Sequence, residues 1–160
     1  MKHRVLAFFF FFCCAASPAF AATSITIQET QSLTFPTIGL PSAGTTNLTI
    51  SPLNSATSGT GTILSGTASR GVYTLASKGK GGISISVDIT GVTTGNANLT
   101  LSDFRGFYSS QTINSFPSST LPLPAANPGT PLYIGATVTA NSAVPPGSYT
   151  GSFDITVFVQ

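Results

Sequence analysis

Apolar and polar residues alternate along most of the chain beyond residue 22. The clearest example is the last segment, where every second position from Tyr149 to Val159 is apolar or glycine and most positions between are polar. A period of two places one face of a β-strand against a core and the other face toward solvent. No segment outside the N-terminal apolar stretch sustains the 3.6-residue period of an amphipathic helix, so the expected class is all-β. Strands are predicted at 25–35, 46–51, 61–67, 72–76, 83–89, 99–104, 132–140 and 149–159.

About eight strands at close spacing, separated by turn-rich stretches, are the pattern of a β-sandwich. Pro145, Pro146 and Gly147 supply turn residues between the last two predicted strands, which are therefore expected to form an antiparallel hairpin. Residues 77–82 have the sequence Ser-Lys-Gly-Lys-Gly-Gly. They are expected to form another hairpin turn, because glycine permits positive φ and lysine stays solvated.

Residues 109–131 interrupt the strand pattern with five prolines in a serine-rich setting. Proline removes a backbone donor, so this segment is expected to form a long loop without a regular hydrogen-bonding ladder. Loops of this length are usually either mobile insertions or functional loops. The sequence leaves both interpretations open, and a mobile insertion is the simpler one.

The N-terminus has the organisation of a secretory signal peptide, predicted at residues 1–21. Its parts are a basic start at Lys2, His3 and Arg4, an apolar stretch at 5–14, and a small-x-small cleavage site at Ala19-Phe20-Ala21. A lipoprotein signal is the alternative, but the residues before the two cysteines do not suit one. The remainder, residues 22–160, is expected to be one exported β-sandwich domain without a membrane-spanning segment.

Removal of residues 1–21 would leave the chain without histidine or cysteine and with equal numbers of acidic and basic residues. The charged residues that remain are Glu29, Asp88, Asp103, Asp154, Arg70, Lys78, Lys80 and Arg105. A nucleophilic serine needs a base, zinc needs cysteine or histidine, and calcium needs clustered oxygen ligands. Separated basic residues also form no patch for several phosphates. The sequence therefore predicts a non-catalytic protein with no cofactor, no metal and no nucleic-acid partner.

Three aromatic residues flank the long loop, at Phe107, Tyr108 and Phe116. Exposed aromatic rings can form a platform for a sugar, so these residues and the loop are a candidate ligand site. Aromatic residues beside a loop also commonly pack it against the core. The sequence leaves both roles open.

The end of the chain carries a recognisable motif. Residues 132–139 have a strand pattern, and Gly147 to Ile155 have the sequence Gly-x-Tyr-x-Gly-x-Phe-x-Ile. This ending resembles the closing motif of a bacterial secreted family known as domain of unknown function 4402 (DUF4402), and residues 33–35 and 50–52 also fit that family. The ending further resembles that of spore-coat-U and chaperone-usher pilin domains, in which a glycine equivalent to Gly147 precedes alternating apolar residues.

The resemblance implies an immunoglobulin-like β-sandwich with Greek-key, pilin-like topology, in which strands pair between proteins. The residues implied in strand pairing are Ile25 and Ile27 as a donor, and Gly147, Tyr149, Gly151, Phe153, Ile155 and Val157 as the strand that a neighbour or chaperone engages. The alternative for residues 25–35 is that they form the first strand of the protein's own sandwich.

The expected function is that of an exported, non-catalytic structural or surface-assembly protein, similar to a fimbrial subunit. Its expected partners are subunits of its own or a homologous kind and a periplasmic chaperone, all joined by strand addition. The expected location is the periplasm, the cell surface or the extracellular space of a bacterium. The alternative function is that of a monomeric adhesin or glycan-binding module that uses residues 109–131 and the three aromatic residues beside them.

Overall fold

A computed structural model describes residues 23–79 and 84–160 of the chain. In these residues the regular secondary structure consists of strands without a helix, which confirms the all-β prediction. The strands are β1 (Ser24–Gln31), β2 (Thr37–Ile38), β3 (Thr45–Ile50), β4 (Thr57–Ser58), β5 (Ile63–Ser65), β6 (Gly71–Lys78), β7 (Ser84–Thr93), β8 (Leu99–Tyr108), β9 (Gln111–Ile113), β10 (Leu121–Pro122), β11 (Thr130–Asn141) and β12 (Ser152–Val159). Their number exceeds the predicted eight, because pairings of two or three residues are too short to show as alternation.

The largest sheet has seven strands and is built around β11. One edge of β11 pairs with β8, while the other pairs with β6 near Leu132 and with β3 near Val138. β1 extends this sheet beyond β6, β4 extends it beyond β3, and β9 extends it beyond β8. All of these pairs are antiparallel. β1 is therefore an outer strand of the large sheet.

A smaller sheet contains β10, β7 and β12 in that order. β12 pairs with β7 from Ser152 to Val159, and β10 pairs with the other edge of β7 at Leu121 and Pro122. β2 and β5 form a separate two-stranded pair. β12 is therefore an outer strand of the smaller sheet, and no strand of the described residues pairs with its other edge.

One hydrophobic core joins the two larger sheets. Its buried residues are Tyr73, Leu75, Tyr108, Ile113, Leu132 and Ile134 from the large sheet, and Ile85, Val87 and Leu121 from the smaller one. Partly buried residues of the outer strands, among them Ile25 of β1 and Phe153 of β12, pack against this core. The two sheets therefore face each other, and β1 and β12 lie near each other at one side.

The predicted hairpin between the last two strands is wrong. β11 belongs to the large sheet and β12 to the smaller one, so the turn around Gly147 carries the chain from one sheet to the other. The physical reason is that β11 already has a neighbour along both edges and offers no free edge to β12. The chain also changes sheet between β6 and β7, so these two strands do not form the hairpin that the sequence predicts. Residues 80–83 of that connection lie outside the described residues.

β8 continues to Tyr108, beyond its predicted end near Phe104. Its register against β11 shifts by one residue around Asp103, which has a φ of 48°. An extra residue in one strand of a pair is a β-bulge. After the bulge, the residues point to the opposite side of the sheet from the side that uninterrupted alternation would give them. The inward positions are therefore odd-numbered before the bulge and even-numbered after it, which interrupts the alternation in the sequence.

Residues 109–131 are more ordered than the long loop without regular hydrogen bonding that the sequence predicts, so this prediction is wrong. It contains β9 and β10, and the side chains of Ile113 and Leu121 are buried in the core. Ser118 exchanges two hydrogen bonds with Val87 of β7: its amide donates to the Val87 carbonyl at 2.7 Å, and its hydroxyl accepts from the Val87 amide at 2.9 Å. The segment therefore packs along one edge of β7 and completes the smaller sheet on that side.

The predicted signal peptide, residues 1–21, lies outside the described residues. In residues 23–79 and 84–160 there is no helix with the length and apolar character needed to cross a membrane.

Candidate functional site

A large cleft opens beside the start of β12. Its volume is about 980 Å³. It is lined by the chain that follows β1, from Ser32 to Leu40, by the chain that leads into β12, from Val144 to Phe153, and by residues of the large sheet such as Leu101. The described lining residues are apolar or carry hydroxyl groups, with the single exception of Glu29. The cleft therefore offers an apolar surface with one negative charge.

The inner face of β1 is poorly covered next to this cleft. Ile27 stands opposite Leu75 of β6, and Leu75 faces the core with 0% of its surface exposed. Because cross-strand partners point to the same side of a sheet, Ile27 also faces inward. It is nevertheless 39% exposed, although β12 approaches β1, because β12 is the outer strand of the smaller sheet and no described strand pairs with its outer edge.

We call the space between these two outer strands the edge groove. It is bounded by Ile25, Ile27 and Glu29 of β1 and by Phe153, Ile155 and Val157 of β12. Glu29 and Phe153 also line the cleft, so the groove and the cleft are continuous. The residues that bound the groove are apolar except for Glu29, which lies where the groove meets the cleft.

The backbone of β12 presents hydrogen-bonding groups toward the edge groove. Val157 stands opposite Val87, but the amide and carbonyl groups of Val87 bond to Ser118 on the far side of β7. Antiparallel pairs alternate between bonded and non-bonded, and the Gln160 amide donates to the Ser84 carbonyl at 2.9 Å, three residues further on. Both observations place the backbone groups of Val157 on the outer edge of β12, where a further strand would find partners.

Glu29 lies where the edge groove meets the cleft. Its carboxylate accepts a hydrogen bond from the hydroxyl of Ser32 at 2.6 Å. Glu29 also stands opposite Tyr73 of β6, and the Tyr73 ring contacts Phe153 with the ring centroids 6.1 Å apart. The carboxylate is therefore level with Phe153, the first inward-facing residue of β12. Burial and the charge of Glu29 raise the pKa of Tyr73 to about 12, so its hydroxyl is neutral near pH 7.

The raised pKa of Tyr73 predicts a loss of stability in alkali. Tyrosine in the unfolded chain ionises near pH 10, while Tyr73 in the folded protein stays protonated until about pH 12. The contribution of neutral Tyr73 to the free energy of unfolding is therefore complete below pH 10 and declines above it. Tyr73→Phe is expected to reduce the fall in the free energy of unfolding between pH 9 and pH 11.5 by about 1 to 2 kcal/mol. Urea unfolding followed by circular dichroism at both pH values measures it. Equal falls in wild type and variant would contradict the prediction.

The structure brings most of the predicted strand-pairing residues to this site. Phe153, Ile155 and Val157 form the half-buried face of β12, while Gly147, Tyr149 and Gly151 line the cleft. The strand itself begins at Ser152, three residues later than the alternation from Tyr149 predicts. The Tyr149 hydroxyl donates to the carbonyl of Pro145, and the residues between them are exposed. The strand-like sequence before Ser152 therefore has no strand partner among the described residues.

The predicted donor residues, Ile25 and Ile27, lie in β1. In this structure β1 pairs with β6 of the same chain from Ser24 to Gln31. Ile25 packs partly against the core, whereas Ile27 is exposed to the edge groove. The two residues therefore form one wall of the groove whose other wall is β12.

The three aromatic residues of the candidate ligand loop do not share a surface. Tyr108 is 0% exposed, and its hydroxyl donates to the Pro122 carbonyl at 3.1 Å. Phe116 packs against the core. Phe107 lies half-buried beside Tyr133, with the ring centroids 6.3 Å apart. Tyr108 therefore anchors the segment to the core instead of facing a ligand, which corrects its predicted place in an exposed platform.

Sequence reasoning missed two parts of the site. The sequence analysis assigns Glu29 no role beyond that of one of the eight charged residues beyond residue 21, and it assigns none to residues 36–40, which follow a predicted strand. The signal for the second part was present, since Ile38 and Leu40 are apolar residues in a stretch with little regular structure. Such residues need an apolar surface to contact, and the cleft provides it.

Comparison with known proteins identifies the family of this chain but does not assign it an activity. No curated protein and no solved structure matches the chain significantly. The sequence model of a family described as domain of unknown function (DUF4402) matches residues 25–158. This range includes all but one terminal residue of each of the outer strands β1 and β12, the residues that bound the edge groove and the lining of the cleft. The match confirms the resemblance seen at the end of the sequence: the chain belongs to the DUF4402 family.

Proposed function

We propose that this protein is an exported, non-catalytic structural or surface-assembly protein that acts by β-strand pairing. In this proposal its two facing sheets form an immunoglobulin-like sandwich with one strand position left open. A strand from a neighbouring subunit or a chaperone pairs with the outer edge of β12 and fills the edge groove. Export follows from the signal peptide that the sequence predicts at residues 1–21.

The observation that carries the proposal is the incomplete cover over β1. Ile27 faces the interior side of the large sheet and is nevertheless 39% exposed. A strand added to β12 would extend the smaller sheet over this side chain. Its inward residues would then contact the apolar face that β1 and β12 share, while its backbone would bond to the groups that Val157 presents.

The energy available to such a strand is appreciable. Each large apolar side chain that passes from half-buried to buried contributes about 1 kcal/mol. Ile27, Phe153, Ile155 and Val157 together would contribute about 4 kcal/mol, before the inward side chains of the added strand are counted. Ordering an extended segment opposes this gain. Strand addition along a paired edge is a recurring way in which proteins bind extended segments.

A proline at the outer edge of β12 tests the proposal. Val157→Pro removes an amide that points away from β7, so the pairing with β7 is preserved while the edge loses a donor. We expect a fluorescent ten-residue peptide of alternating valine and threonine, with capped ends, to bind the wild-type protein. The proline variant is expected to bind it at least tenfold more weakly. Fluorescence anisotropy measures the difference.

Val157→Ala is the matched control, because it shortens the same side chain but keeps the amide. It is expected to bind the peptide within about threefold of wild type, and circular dichroism checks that both variants remain folded. Equal binding by the proline and alanine variants would contradict pairing at this edge. If the wild-type protein binds no alternating peptide, the proposed function is wrong.

The second candidate function is a monomeric adhesin or glycan-binding module. One observation favours it: Phe107 and Tyr133 lie side by side on the face of the large sheet that points away from the core. The guanidinium of Arg70 lies 3.8 Å from the centre of the Tyr133 ring and extends this row. Binding to a glycan array that is lost in Phe107→Ala, by a protein that stays monomeric on size exclusion, would support this alternative.

A further inference from the structure

The edge groove is apolar along its length but carries a negative charge at one end. Glu29 is the single charged residue among the described residues that line the adjoining cleft. Glu29 stands opposite Tyr73, and the Tyr73 ring contacts Phe153, so we place the carboxylate at the Phe153 end of the groove. An incoming strand that pairs with β12 must therefore place one inward-facing residue next to this carboxylate.

We infer that Glu29 selects the partner of this groove: an extended segment of another protein with apolar residues at alternate positions and a lysine or arginine at the inward position level with Phe153. This inference rests on the proposed function, because it assumes that a strand occupies the groove. It adds the chemical character of that strand.

The surroundings of Glu29 favour a long basic side chain. Lysine and arginine lay their methylene groups along apolar surfaces and keep the charged end at a polar group. The walls of the cleft supply such surfaces through Leu33, Phe35 and Phe153, and Glu29 supplies the counter-charge. Tyr73 next to it stays neutral near pH 7 and adds no competing charge.

The same charge argues against the protein's own first strand as the preferred occupant. Between Ser24 and Gln31 the sole charged residue is Glu29 itself. A β1 strand donated by a second copy would bring an acidic residue to an acidic groove and no basic residue to pair with it. The groove therefore suits a basic segment of a different protein better than it suits self-association through β1.

A charge series of peptides tests the inference. The peptides are ten-residue capped segments of alternating valine and threonine with lysine, glutamine or glutamate at the inward position level with Phe153. We expect the lysine peptide to bind the wild-type protein about threefold to fivefold more tightly than the glutamine peptide, and the glutamate peptide to bind more weakly. In Glu29→Gln, an exposed substitution that preserves size, the three affinities are expected to converge.

Each outcome has a definite meaning. If the three peptides bind wild type equally, or if the lysine preference persists in Glu29→Gln, the inference is wrong while strand addition stands. Binding of a capped 23–31 peptide as tight as that of the lysine peptide would identify a second copy as the occupant and also overturn it. Decylamine that competes as well as the lysine peptide would indicate a lipid-like ligand. If none of the alternating peptides binds, the proposed function fails together with the inference.

Discussion

Gly135→Ala is expected to lower the free energy of unfolding by about 3 kcal/mol. Gly135 lies in the central strand β11, where the end of β3 crosses close to it. A methyl group built at this position would lie 2.8 Å from the Pro52 nitrogen and 3.0 Å from the Ile50 carbonyl carbon, and closer still to the Ile50 carbonyl oxygen. All three atoms belong to the backbone, so no side chain can rotate away to make room.

The backbone near Gly135 is also held in place. The guanidinium of Arg70 donates to the Pro52 carbonyl at 2.8 Å, and the Arg70 amide donates to the hydroxyl of Ser55 at 3.0 Å. A shift of this loop would strain those bonds. Urea unfolding of residues 22–160, followed by circular dichroism, measures the change in stability.

Gly147→Ala is the matched control. Gly147 has no atom within 4 Å of an added methyl group, and its φ lies outside the left-handed region. Its substitution is expected to change the free energy of unfolding by less than about 0.5 kcal/mol. A Gly135→Ala variant as stable as Gly147→Ala would show that β3 and β11 do not approach each other as closely as the structure places them.

The individual strands were predictable because alternation is a local signal. Each of the eight predicted segments overlaps a strand, and the inward positions of β6, from Gly71 to Ser77, follow the period of two without interruption. Burial depends on the same property of a side chain that the sequence shows, namely whether it is apolar. The all-β fold class and the buried face of most strands can therefore be predicted from the sequence.

The pairing of strands was not predictable from the same signal. Two strands joined by a turn such as Pro145-Pro146-Gly147 usually form a hairpin, but here the turn joins two sheets. Alternation indicates that a strand has one buried face, but it does not indicate along how many of its edges the strand pairs with another strand. β11 is paired along both edges, and that fact depends on β3, β6 and β8, which are distant in sequence.

The edge groove was only partly predictable, because alternation is a local signal and strand pairing is a long-range one. The residues of β12 that face it, such as Ile155 and Val157, stand out as an alternating series. The exposure of Ile27 does not stand out, because it depends on where the facing sheet ends, and in the described residues that sheet ends at β12. Glu29 acquires its place in the site through its register against Tyr73, a long-range relation that a single sequence does not contain.

Tyr108→Ala is expected to lower the free energy of unfolding by about 4 kcal/mol. Among the residues that the structure describes, Tyr108 is the largest fully buried side chain, and it belongs to the core that joins the two sheets. Its removal leaves a cavity and also leaves the Pro122 carbonyl without the hydroxyl that donates to it. Urea unfolding measures the loss, and the smaller sheet is expected to lose its protection from hydrogen exchange first, because Tyr108 holds the segment that contains β10.

Two variants separate this core role from a ligand-binding role. Tyr108→Phe keeps the ring and removes the hydroxyl, so it is expected to cost about 1 kcal/mol. Phe107→Ala removes a neighbouring aromatic ring on the opposite, half-buried face of β8, and it is expected to cost less than half as much as Tyr108→Ala. If Tyr108→Ala were as stable as Phe107→Ala, the side chain of Tyr108 would have to be accessible, and a sugar platform beside residues 109–131 would again be the better interpretation of these aromatic residues.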